Sequence, residues 1–122
     1  MSYYIDVRVL EYNDTNGRSP YKDWFDGLDA QAAAKVAVAV TRMSLGNLSN
    51  VKPVGEGVLE FRIDFGPGYR IYFGRDGGEI IILLGGGSKK SQQQDIGTAK
   101  ARWADYKKRI AALKKKTGPK KK

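Results

Sequence analysis

Arg62 and Arg70 flank the turn Gly66-Pro67-Gly68, each inside a short stretch in which apolar and polar residues alternate. Two guanidinium groups on one rigid surface suit phosphate, because each offers a planar fork of donors that matches its oxygens and keeps its charge. Tyr72 lies just beyond Arg70, and Glu60 and Asp64 place carboxylates in the same stretch. A second basic pair, Lys89-Lys90, follows Gly85-Gly86-Gly87 and precedes Ser91 and Gln92. The chemistry open to such a set is charge stabilisation and proton movement at a phosphodiester. The arginines would neutralise an anionic transition state. Lys90, beside the like charge of Lys89, would act as acid or base. Tyr72 offers a ring to an unpaired base, and Gln92 offers hydrogen bonds to a base or sugar. The competing account is structural: both arginines pair with Glu60 and Asp64 on a solvated face, Lys89-Lys90 is a basic turn, and Tyr72 caps the sheet.

Composition narrows these options. The chain has no cysteine and no histidine, which removes disulfides, thiolate metal sites and the commonest general acid–base residue. Catalysis must then use Arg, Lys, Tyr, Asp, Glu or backbone groups. Asp64, Asp76, Glu79 and Asp95 show no metal-ligand spacing, and no Walker-type or dinucleotide motif is present. Neither a metal nor a cofactor is expected. No apolar run approaches the ~20 residues of a membrane span. The start, Met1-Ser2-Tyr3-Tyr4, lacks the basic and apolar regions of a signal peptide. A cytoplasmic protein with no membrane partner is the expectation.

Charge is concentrated at one end. The net charge is +9, and Lys100 to Lys122 carries 11 basic residues against one acidic, leaving 11 basic and 12 acidic residues in the first 99. Such a block favours a polyanion in a salt-dependent way. Lys107 and Lys108 lie within it, and residues 114–122 read as a disordered basic tail after a domain of residues 1–113, with a merely solvated, solubilising tail as the competing account.

The elements that must position these residues follow from periodicity. Tyr3 to Tyr12 alternates and reads as a strand. Ser19-Pro20 is an N-cap with proline at the first helical position, opening a helix with Tyr21, Trp24, Phe25 and Leu28 at helical spacing. Asp29 caps a second helix through Leu45, and Gly46-Asn47 stops it. Residues 47–57 read as a loop. Two strands follow at about 58–65 and 69–75. A three-residue turn between them would set Asp64 opposite Arg70 and Arg62 opposite Tyr72. Glu79 to Leu84 is nearly all aliphatic, the pattern of a strand buried on both faces. The glycine run lets the backbone approach another group closely. Ser91 with Gln94 resembles a capping box. The final helix carries a stripe of Ile96, Ala99, Trp103, Tyr106, Ile110 and Leu113. The sum is one α+β domain: a strand, two helices, three strands in a mainly antiparallel sheet, and a C-terminal helix.

In that order of elements the chain resembles the RelE/ParE toxin superfamily, and within it the HigB-like addiction-module killer proteins. The residues that carry the likeness are Glu60 to Phe73, the strand ending at Leu84, Gly86 to Gln92, and Asp95-Ile96, Ala99-Lys100, Trp103 and Tyr106-Lys107, with Tyr21 to Phe25 near the start. It covers about residues 1–112. The resemblance implies a single RelE-like domain acting as the toxin of a bacterial type II toxin–antitoxin module. It implies a ribosome-dependent, metal-independent messenger-RNA endoribonuclease in which Arg62, Arg70 and Lys90 are catalytic, and Tyr72, Lys89, Gln92, Lys107 and Lys108 bind RNA. It also implies a helix-turn-helix antitoxin of the HigA-like kind as partner, the ribosome and its message as targets, and operator DNA contacted only through the antitoxin. The superfamily also holds gyrase inhibitors, so a non-enzymatic ParE-like inhibitor is the alternative, as is a degenerate toxin that serves only as antitoxin partner and co-repressor.

Overall fold

The computed structural model describes residues 7–117. The expected strand residues 3–6 and the last lysines, 120–122, lie outside the described residues. Five strands and three helices follow one another as β1 (Arg8–Glu11), α1 (Pro20–Asp26), α2 (Ala30–Ser44), β2 (Val51–Gly55), β3 (Val58–Ile63), β4 (Tyr69–Asp76), β5 (Ile80–Ser88) and α3 (Gln92–Thr117). One sheet has the order β1-β5-β4-β3-β2. β1 runs parallel to β5, and the other neighbours are antiparallel.

The helix starts follow the expected chemistry. The Ser19 side chain accepts from the Lys22 amide at 3.0 Å, and Asp29 accepts from the Ala32 amide at 2.9 Å. Helices cover both faces of the sheet. On one face Phe61, Ile71, Phe73, Ile81 and Leu83 pack with Tyr21 of α1 and Val36, Ala39 and Met43 of α2. On the other, Val58, Tyr72, Ile82 and Leu84 pack with Ala99 and Trp103 of α3 and with Tyr12. Alternation along β4 and β5 therefore feeds two cores, as the aliphatic run of β5 requires.

Four expectations change. The segment read as a loop at 47–57 contains β2, which pairs Val51 with Phe61 and Lys52 with Glu60. Lys52 and Pro53 disguise it, but an edge strand tolerates both, since one side of its backbone needs no ladder bond. The hairpin register also differs. β3 ends at Ile63, paired with Tyr69, so Arg62 faces Arg70 and Glu60 faces Tyr72. The connection is Asp64 to Gly68, closed by the Gly68 amide on the Phe65 carbonyl at 2.9 Å, with positive φ at Gly66 and Gly68. This longer turn shifts pairing by two residues, which preserves the face and changes the partners. Ser91 does not form the expected box: its hydroxyl donates to Asp95 Oδ2 at 2.5 Å, and Lys89–Ser91 forms a 3-10 turn before α3. Finally, α3 continues past Leu113, so 114–117 form its last turn.

β5 extends through the glycine run to Ser88. Gly85, opposite Tyr72, has φ +154 at a bulge between β4 and β5. A Cβ on Gly86 would collide with the Trp24 ring, and one on Gly87 with the Asp95 carboxylate. The run thus lets α1 and the start of α3 close on the sheet from opposite sides.

Candidate functional site

The hairpin register sets Arg62 and Arg70 side by side on one sheet face, in a row that runs through Asn50, Arg62, Arg70 and Gly87. Like charges directly opposite each other cost stability unless something between or beside them compensates. The two arginines solve this differently. Arg70 is 4% exposed, its Nη1 donates to the Gly68 carbonyl at 2.9 Å, and its Nε lies 3.8 Å from Glu60 Oε2. Arg62 is exposed and forms no ion pair among the described residues.

Glu60 explains how a charged group survives in the core. It is wholly buried, and Gln92 Nε2 donates to its Oε2 at 2.9 Å. A buried carboxylate needs a cation and donors, and here they come from Arg70 and the start of α3. Tyr72, directly opposite Glu60, is 1% exposed. Burial and the Glu60 carboxylate push its hydroxyl pKa well above the ordinary tyrosine value. Among the described residues Glu60 Oε1, Arg70 Nε and Tyr72 Oη carry no hydrogen bond.

The expected site residues therefore divide by depth. Arg70, Tyr72 and Gln92 come together with Glu60 in a closed polar cluster beneath α3. Tyr72 was expected to offer a ring to a base, but packing against Val58, Ala99 and Trp103 covers it. Arg62, Lys89 and Lys90 are exposed. The Lys89 amide donates to the Gly68 carbonyl at 2.8 Å, which ties the basic turn before α3 to the hairpin loop that also holds Arg70. That turn leads into a 26-residue helix, so its lysines add to the positive end of the helix dipole. Lys107 and Lys108 lie farther along α3, both exposed, with Lys107 Nζ 5.7 Å from the centre of a Trp103 ring. Glu60 was seen only as acidic company for the arginines. Its buried role leaves no mark in the sequence beyond its place two residues before Arg62.

Residues 23–116 match the family described as Phage derived protein Gp49-like (DUF891), a stretch that includes every candidate from Arg62 to Lys108. The chain belongs to the Gp49-like family. That family is related to the toxins of toxin–antitoxin modules, and membership is consistent with such a toxin and an antitoxin partner. The chain is also similar to an uncharacterised protein of Haemophilus influenzae (strain ATCC 51907 / DSM 11121 / KW20 / Rd), with 40% identity over 81 residues, 66% of this chain and 82% of that protein. Among the described residues of this Gp49-like chain, no helix is long and apolar enough to cross a membrane.

Proposed function

We propose that the chain is a HigB-like toxin of a type II toxin–antitoxin module that cleaves messenger RNA on the ribosome without a metal. The observation that carries this is the opposition of Arg62 and Arg70 across the hairpin, with Arg70 fixed from below and Arg62 left exposed. An anion bound at the exposed Arg62, above the buried Arg70, relieves the repulsion that the fold tolerates, and a phosphodiester supplies one. The 2′-hydroxyl of the RNA attacks the adjacent phosphorus, and the bond to the 5′-oxygen breaks. The proton on the 2′-oxygen passes to water, another reaches the departing 5′-oxygen, and a 2′,3′-cyclic phosphate remains. Arg62 contacts the phosphate and offsets the charge that develops on its oxygens. Arg70, held by Glu60 and the Gly68 carbonyl, supplies fixed positive potential from beneath. Lys90, beside Lys89, moves a proton to the leaving oxygen. Tyr72 and Gln92 act as positioning residues around Glu60 in this scheme. With no histidine to carry the proton, much of the rate must come from geometry that the ribosome completes. Lys107 and Lys108 contact ribosomal RNA. The partner is a helix-turn-helix antitoxin of the HigA-like kind, through which the pair reaches operator DNA.

Primer extension on cellular transcripts after induction without antitoxin tests this reading. New 5′ ends inside translated frames, lost when translation is blocked and lost in Arg62→Ala, are the expected result. Growth arrest with intact transcripts would overturn it in favour of a gyrase inhibitor. Normal growth would leave only a regulatory partner of the antitoxin.

A further inference from the structure

A basic groove lies beside the hairpin, between α2 and the β2–β3 edge of the sheet. Two adjoining cavities of about 430 and 280 Å³ share Asn50, Arg62 and Asp64. Lys52 adds a cation to the first, and Lys35 and Arg42 add two to the second. Lys35, Val38, Ala39 and Arg42 fall at i, i+3, i+4 and i+7 of α2, so helical geometry puts them on one stripe. All four cations are exposed, and none forms an ion pair among the described residues. Asp64 is the single carboxylate in the lining. The walls are not wholly polar: Val38, Phe61, Ile63 and Phe65 line the second cavity, and Lys35 Nζ lies 5.3 Å from the centre of the Phe65 ring.

We infer that this groove binds a single-stranded segment of RNA, as the continuation of the strand whose phosphate lies at Arg62. The inference rests on the nuclease reading and extends it to where the substrate runs. Uncompensated cations on the rim with apolar side chains inside suit a single strand, whose phosphates follow the rim and whose bases and sugars meet the apolar wall. Arg62 lines both cavities and belongs to the row containing Arg70, so a strand that passes round the β3 end meets Arg62 on one face of the sheet and the α2 cations on the other. A double helix, being a wide rigid rod, fits a groove of this size poorly.

The test is fluorescence anisotropy of a labelled uridine oligonucleotide of about ten nucleotides, titrated with the full chain at several salt concentrations. Each phosphate contact contributes roughly 0.7 to the slope of log affinity against log salt for a single strand. Lys35→Ala combined with Arg42→Ala is expected to lower that slope by about 1.4 with an unchanged circular dichroism spectrum. Lys22→Ala, on α1 and paired with Asp26 at 3.0 Å, is the control and keeps the slope. An unchanged slope in the double variant, or no binding by the full chain at low salt, overturns the inference. So does loss of antitoxin capture in Lys35→Glu with Arg42→Glu while RNA binding persists, which makes the groove a protein-docking surface. Binding is scored separately from cleavage. A chain that binds through the groove but leaves cellular transcripts intact refutes the nuclease reading alone. One that cleaves transcripts while the double variant keeps its slope refutes the groove alone.

Discussion

Glu60 Oε2 lies 3.8 Å from Arg70 Nε on the neighbouring strand, with both side chains buried beneath the start of α3. Removing one member of a buried pair strands the other charge, which costs about 3–5 kcal/mol. Arg70→Ala should lower the unfolding free energy by that order in urea denaturation. Glu60→Leu combined with Arg70→Met should cost less than either single change, because no unpaired charge remains. Equal costs for the double and the sum of the singles would show that the two groups do not interact. Loss of toxicity in Arg70→Ala alone therefore mixes folding with chemistry.

Arg62 and Lys90 give a cleaner separation. Both are exposed, so Arg62→Ala and Lys90→Ala should leave stability within about 0.5 kcal/mol. Transcript cleavage should fall about 100-fold or more in Arg62→Ala if its charge acts in the transition state. Wild-type cleavage in that variant would remove Arg62 from the catalytic set.

The glycine run is a packing requirement. Gly86→Ala and Gly87→Ala drive a methyl into Trp24 and Asp95, and each should destabilise by about 1–3 kcal/mol in a thermal melt. Gly97→Ala is the opposite case, because nothing lies within 4 Å of a Cβ there and the site is inside α3. That change should stabilise by up to about 1 kcal/mol. A Gly86→Ala variant as stable as wild type would mean that α1 docks more loosely than the structure shows.

Alkaline pH should loosen the fold through its tyrosines. Burial, aided by Glu11, pushes the Tyr21 hydroxyl from 10.0 up to about 12. Burial and the bond to Asp76, at 2.7 Å, raise Tyr106 from 10.0 to about 12. Each hydroxyl ionises first in the unfolded chain, so the folded state holds more protons between these values. Stability should be unaffected by these groups below about pH 10, and fall as pH rises from 10 towards 12. Tyr106→Phe should flatten the fall measured by denaturation at pH 9 and pH 11. An identical fall in the variant would assign it elsewhere.

The sequence by itself determined the three helices and four of the five described strands, with the helix starts placed best. Ser19-Pro20 and Asp29 mark helix starts because their oxygens satisfy amides that a first turn leaves free. The aliphatic stretch of β5 requires cover on both faces, and α1 with α2 provides it on one and α3 on the other. Arg62, Arg70, Lys89 and Lys90 stood out by residue type as cations expected to seek phosphate, and the structure places Arg62, Lys89 and Lys90 at the surface. Tertiary structure decided the rest. Pairing register depended on where the Asp64-to-Gly68 turn closed, which alternation does not specify because a shift of two keeps every side chain on its face. β2 was hidden by Lys52 and Pro53, whose acceptance depends on lying at a sheet edge. The polar face of the hairpin looked solvated, since alternation reports which residues share a side and not what covers that side. Packing of α3 buried Glu60, Arg70 and Tyr72 and left Arg62 outside. Lys35 and Arg42 share a helical stripe in any reading of α2, but only its docking beside β3 brings them to Arg62.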